Sequence, residues 1–188
     1  MISNELLIGI VTAAITASVT LISSYLAHKM AIKKMLLQLR VEYDYQEQKD
    51  LKNKLEELYF LVEKWASSFG SYHIPLMSVM RGELTYNDAL DLVIKYEKEN
   101  KYDFKKIELL LNLYFDDLKD KYSSIIEKRA TINKIIFAHK ERYKQGDIDG
   151  ELFLKPFTEA QLSFHKSIEL FKEEIVIYSK SIMRKNVV

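Results

Sequence analysis

Residues 6–27 contain no Asp, Glu, Lys or Arg, and this run limits the chain more than any other feature. At a rise of about 1.5 Å per residue, a helix of this length covers about 33 Å, close to the roughly 30 Å hydrocarbon core of a bilayer. Glu5 precedes the run, and His28 with Lys29 follows it. The length and composition predict a single transmembrane helix. A cleavable signal peptide fits less well, because it begins with positive charge and has a shorter apolar core. Here the start is Met-Ile-Ser-Asn-Glu and the basic residues come afterwards. A helix buried in a soluble core is seldom uncharged for so long.

The run is sided. At 100° per residue, Gly9, Thr12, Ala13, Thr16, Ala17 and Thr20 fall on one face, continued by Ser23, Ser24 and Ala27. Ile8, Ile10, Val11, Ile15, Val19, Leu21, Ile22 and Leu26 cover most of the rest. A stripe of small residues lets two helix backbones approach closely, and hydroxyls can bond across the contact. The stripe therefore reads as an association face, toward a second copy or another membrane protein. The alternative is a solitary helix whose hydroxyls bond their own preceding carbonyls.

Flanking charge sets the expected topology. Lys29, Lys33, Lys34 and Arg40 follow the span closely, and no basic residue precedes it. The positive-inside rule then puts the N-terminus outside and the bulk of the chain in the cytoplasm, at the inner (plasma) membrane. A basic flank is ordinary topology signalling and does not by itself read as a lipid-binding site.

Two prolines and five glycines in 188 residues leave few breakers, which points to long helices. The expected fold is all-α. It comprises a tail at 1–5, the span at 6–27, a juxtamembrane stalk helix at 28–50, an irregular antiparallel helical bundle at 51–185 and a tail at 186–188. Leu51, Leu55, Leu58, Val62, Trp65 and Phe69 recur at four and three residues, as a bundle-facing seam does. Gly70, Ser71 and Pro75 then predict a stop or kink, followed by a short helix over 74–81 that Gly82 caps. Thr85 and Asp88 resemble a capping box opening a helix that ends near Asn100. Asp103 is placed to cap the next helix. Asp116 and Asp117 suit the first turn of another, where the helix dipole favours negative charge.

The seam of that helix runs through Leu118, Tyr122, Ile125, Arg129, Ile132, Ile136, His139 and Tyr143. Gln145, Gly146, Asp147 and Gly150 then predict a loop lasting to Pro156. Thr158 would cap the last helix, with a seam through Phe164, Ile168, Phe171, Ile175, Tyr178 and Ile182. Arg184, Lys185 and Asn186 place basic charge at its end.

Chemistry is sparse. Lys and Arg total 28 against 27 Asp and Glu, a balance that argues against nucleic acid as a partner. With no cysteine there is no thiolate nucleophile or thiolate metal site. The four histidines share no ligand spacing, and no His follows a Glu by three residues as di-iron bundles require. The run 146–151 lacks the carboxylate spacing of a calcium loop. No catalytic residue, cofactor or metal is expected, and an enzyme is not. Arg129 and His139 are the candidate buried polar residues, either forming a cavity or anion contact inside the bundle or else snorkelling or pairing with a carboxylate on a neighbouring helix, with His139 drifting beyond the seam.

The function expected is that of a membrane-anchored interaction protein: a scaffold, adaptor or effector subunit whose partners are the bilayer and a second copy or another membrane protein. The lysine- and isoleucine-rich composition suggests a bacterial source. An effector of a toxin or phage-defence system falls within this class, though no residue demands it. The alternative is a membrane-tethered sensor that binds a ligand or lipid within its aromatic bundle.

Overall fold

In the computed structural model, which describes residues 4–99 and 103–184, the protein is all-helical. Its elements are α1 (Asn4–Met80), α2 (Tyr86–Glu99), α3 (Phe104–Tyr114), a 3-10 turn (Asp116–Leu118), α4 (Lys119–Lys144) and α5 (Glu151–Arg184). No strand occurs among the described residues. Residues 1–3 of the N-terminal tail, the helix end anticipated near Asn100 and Lys185 of the basic end lie outside the described residues, as does the tail at 186–188. The chain divides into two compact units, Met1–Lys49 and Asp50–Val188.

The first unit is helical and its side chains are almost all exposed from Ile8 onward. Among the described residues, one helix, α1, is long and apolar enough to cross a membrane, and none of its 18-residue apolar window is buried. Ile8, Ile10, Ile15, Val19, Leu21 and Ile22 are all more than half exposed. The helix continues through the polar stretch 42–50, which is exposed as a stalk would be.

The second unit holds the core, and the seams read from the sequence form it. Leu55, Leu58, Val62, Trp65 and Phe69 of α1 pack with Tyr122, Ile125 and Ile132 of α4 and with Phe164, Ile168, Phe171 and Ile175 of α5. Trp65 sits at the centre. Its ring meets Phe104 at 5.5 Å, Phe164 at 5.6 Å and Tyr122 at 6.0 Å, mostly edge to face, the arrangement that aromatic quadrupoles favour. Cross-helix polar pairs give the directions. Lys121 pairs with Glu174, while Lys128, seven residues later, bonds Ser167, seven residues earlier, so α4 and α5 run antiparallel. Glu63–Lys172 and His73–Phe157 set α1 antiparallel to α5 in the same way.

Two boundaries differ from the sequence expectation. The stop expected at Gly70, Ser71 and Pro75, with a separate helix over 74–81, does not occur: α1 runs on to Met80. Pro75 cannot donate to the Ser71 carbonyl, a loss that normally disfavours helix. Against that, His73, Pro75, Leu76, Val79 and Met80 are all buried, and packing of this face outweighs one missing bond. Likewise, the loop expected to last to Pro156 ends early, because α5 begins at Glu151. Thr158 does not cap that helix but donates its hydroxyl to the Leu154 carbonyl at 2.8 Å. Asp149 takes the capping role, accepting the Glu151 N–H at 3.0 Å. Fully buried Phe157 draws the proline-containing turn onto the core.

The remaining caps follow local chemistry. Gly82, at φ 73°, closes α1 with the paired bonds of a Schellman motif, Gly82 N–H to the Val79 carbonyl and Glu83 N–H to that of Ser78. Thr85 and Asp88 bond reciprocally, Asp88 N–H to the threonine hydroxyl at 3.2 Å and Thr85 N–H to the carboxylate at 3.1 Å. Asp103 accepts the Lys106 N–H at 3.2 Å. Gly150 is a close crossing: a Cβ there would lie 2.5 Å from Met80 Cα.

Candidate functional sites

Two features could carry function, one in each unit. In the first, Gly9, Thr12, Ala13, Thr16, Ala17, Thr20 and Leu21 line a shallow open groove along the apolar stretch of α1. The helical repeat brings the six small residues of the expected association face together, since Gly9, Ala13 and Ala17 form one row at four-residue spacing and Thr12, Thr16 and Thr20 a second row beside it. Gly9 faces open space, since a Cβ there would meet nothing within 4 Å. The threonine hydroxyls bond their own preceding carbonyls, as in the solitary-helix alternative. Thr12 donates to the Ile8 carbonyl at 2.9 Å, Thr16 to that of Thr12 at 2.8 Å and Thr20 to that of Thr16 at 2.8 Å. Donors spent inside the helix leave the face close to apolar in character. Lys29, Lys33, Lys34 and Arg40 follow as exposed residues of the same helix.

In the second unit, a cleft of about 410 Å³ opens between α1, α2 and α4. The α4 wall is built by Arg129, Asn133, Ile136, Phe137 and Lys140, which recur on one face of that helix. Trp65, Phe69, Tyr72 and His73 form the α1 wall, and Val93 and Tyr96 the α2 wall. Arg129 is half-buried and its guanidinium lies over the Phe104 ring at 5.3 Å, a cation–π contact that fixes its plane. Among the described residues, no Asp or Glu lines the cleft.

His73 was not singled out from the sequence. It is 1 % exposed, and its Nδ1–H donates to the Phe69 carbonyl at 2.7 Å. Burial, opposed by that bond and helped by the nearby Arg129 charge, lowers its pKa to about 4, so the ring is neutral near pH 7. Its Nε2 is buried without a partner.

Arg129 and His139 share α4 but not a site. His139 does not drift out of the seam. It is fully buried, and its Nδ1 shares a 2.7 Å hydrogen bond with the Tyr86 hydroxyl of α2. Burial pushes Tyr86 up to about 12 and lowers His139, so each is neutral and the contact is a neutral hydrogen bond. The pair ties α2 to α4, which is a structural service. Lys172 is a second residue the sequence did not mark. Burial of its ammonium would lower its pKa, but the carboxylates of Glu169 at 2.8 Å and Glu63 at 2.6 Å outweigh that and raise it.

Among the described residues no three His, Asp or Glu side chains gather closely enough to hold a metal ion. Compared with known proteins, the chain matches no family model, no curated protein and no solved structure.

Proposed function

We propose that the chain is a single-pass membrane anchor carrying a helical interaction domain, and that it associates through the small-residue face of its span with a second copy or another membrane protein. One observation carries the reading: an exposed apolar helix bears a groove lined by Gly9, Thr12, Ala13, Thr16, Ala17 and Thr20. Because the threonine hydroxyls are satisfied within the helix, close backbone packing supplies the attraction, and interhelical hydrogen bonds, worth about 0.6 kcal/mol each on average, add little. The basic flank at Lys29, Lys33, Lys34 and Arg40 orients the bulk of the chain toward the cytoplasm in this account. A reporter fused to the C-terminus that is active only outside the cytoplasm would stay silent.

Energy transfer between labelled copies in lipid bilayers tests the association. Ala13→Leu together with Ala17→Leu fills the groove and is expected to lower transfer, while Val11→Leu with Ile22→Leu on the opposite side leaves it unchanged. Equal behaviour of the two pairs, or no transfer in the parent protein, would end the self-association reading.

The cleft beside Arg129 favours a second reading, a membrane-tethered sensor whose bundle binds a ligand and conveys its occupancy through the stalk at 42–50. Its support is a formed cavity that includes one of the two polar seam residues.

A further inference from the structure

The charge around the cleft is one-sided. Arg129 and Lys140 both lie on the α4 wall, and their separation of eleven residues places them about 16 Å apart along the helix axis. Among the ion pairs of the described residues, neither has a carboxylate partner. His73, the remaining titratable imidazole on the walls, is neutral and contributes no charge. Among the described residues, the cleft therefore holds two cations with no counter-charge. A half-buried guanidinium is less screened than a surface one, and its planar fork suits a carboxylate or phosphate.

The rest of the lining is aromatic. Tyr72 of α1, Tyr96 of α2 and Phe137 of α4 remain 41 %, 39 % and 64 % exposed, so each of the three helices presents an accessible ring at the opening. Trp65 and Phe69 close the floor from beneath. Asn133, between the two cations, can both donate and accept. A volume of about 410 Å³ is in the ordinary range for a small-molecule site.

We propose that this cleft binds a small organic anion with a flat aromatic body, its acid group on Arg129 and its ring among Tyr72, Tyr96 and Phe137. This names the ligand class for the sensor reading and rests on it. Lys140, at the exposed end, draws the anion in and serves as a second, weaker contact. An aliphatic acid would satisfy the charge but leave the rings without a stacking partner. A neutral aromatic would do the reverse.

Calorimetric titration of the full chain in lipid nanodiscs, with empty nanodiscs subtracted, separates these cases. The probes are 2-naphthoate and adenosine monophosphate, their uncharged counterparts 2-naphthamide and adenosine, and decanoate as an acid without a ring. At least one aromatic anion is expected to bind about tenfold or more tightly than its neutral counterpart and than decanoate. Arg129→Gln is expected to weaken it about tenfold or more, and Lys140→Gln a few-fold. Should Arg129→Gln disturb folding, the exposed Lys140→Glu variant takes its place and must also weaken the anion. Binding that ignores charge, or that survives both substitutions, overturns the proposal. Decanoate binding best, and through Arg129, overturns the aromatic class yet leaves a ligand-sensing bundle standing. No binding by any probe removes both.

Discussion

Replacing Gly150 with alanine and replacing Gly70 with alanine have opposite expected signs, although both glycines belong to the helical unit. Gly150 is buried at the entrance of α5, where its carbonyl accepts the Phe153 N–H at 2.9 Å. A Cβ there would lie 2.5 Å from Met80 Cα and 2.8 Å from its carbonyl carbon. Carbon atoms rest about 3.5–4.0 Å apart, so the last turn of α1 and the first of α5 must part by about 1 Å. The obstacle is backbone, and it is held on both sides, by Met80 in the core and by the Gly82 cap that follows it. Overpacking costs about 1–3 kcal/mol, and an obstacle that cannot rotate away puts this case near about 3 kcal/mol. Gly70 lies inside α1, and a Cβ there meets nothing within 4 Å. Alanine at that position should stabilise by about 0.5–1 kcal/mol, because glycine loses more backbone freedom in a helix. Urea unfolding of the full chain in detergent, followed by the emission of the single tryptophan, Trp65, measures both. With slopes of about 1–3 kcal/mol per molar urea, the midpoint falls by about 1 M or more for Gly150→Ala and rises by a few tenths for Gly70→Ala. A neutral Gly150→Ala would mean that the two helices do not cross in contact there. A destabilising Gly70→Ala would place unseen packing against that face.

Further expectations follow from burial and charge. Phe164→Ala removes a fully buried ring stacked on Phe69 at 4.0 Å and should cost about 3–5 kcal/mol, whereas Phe137→Ala, at a 64 % exposed position, should stay within about 0.5 kcal/mol in the same urea assay. Acid should weaken the fold through His73: the unfolded chain takes up a proton near pH 6.5 and the folded one resists until about 4, so stability falls as pH drops between those values. The loss approaches about 3 kcal/mol, and His73→Phe should flatten that part of the pH profile, while an unchanged slope would refute the assignment. Lys172→Ala strips the buried stem and strands Glu63 and Glu169 without their shared cation, for an expected cost of about 1–3 kcal/mol. A loss no larger than that of a surface lysine such as Lys52→Ala would show the pair to be idle.

The seams were legible because periodicity depends only on neighbours along the chain. Leu55, Leu58, Val62, Trp65, Ile125, Ile132, Phe164 and Ile168 are core residues at the spacing the sequence displays. Capping was legible for the same reason, at Gly82, Thr85 with Asp88, and Asp103. The two misplaced boundaries share one cause. Pro75 and Pro156 carry a local signal against helix, and the packing of Leu76, Val79 and Phe157 against distant elements overrides it. The signal that could have corrected the first was present: Phe69, His73, Leu76 and Met80 continue the seam at four, three and four residues. That reading would also have marked His73. The cleft was not legible, since it joins residues from α1, α2 and α4 that no spacing rule connects. Arg129 stood out as a polar interruption of a seam, but its aromatic neighbours did not.

The central claim is that the span has one associating face. Because the chain contains no cysteine, single cysteines can be placed along it without background. Oxidative crosslinking in native membranes of cysteines at positions 9 through 22 tests the claim residue by residue. The account predicts crosslinked dimer that peaks at Gly9, Ala13, Ala17 and Thr20 and falls to background at Val11, Ile15, Val19 and Ile22. Crosslinking that is flat around the helix, absent throughout, or strongest on the branched aliphatic face would contradict it.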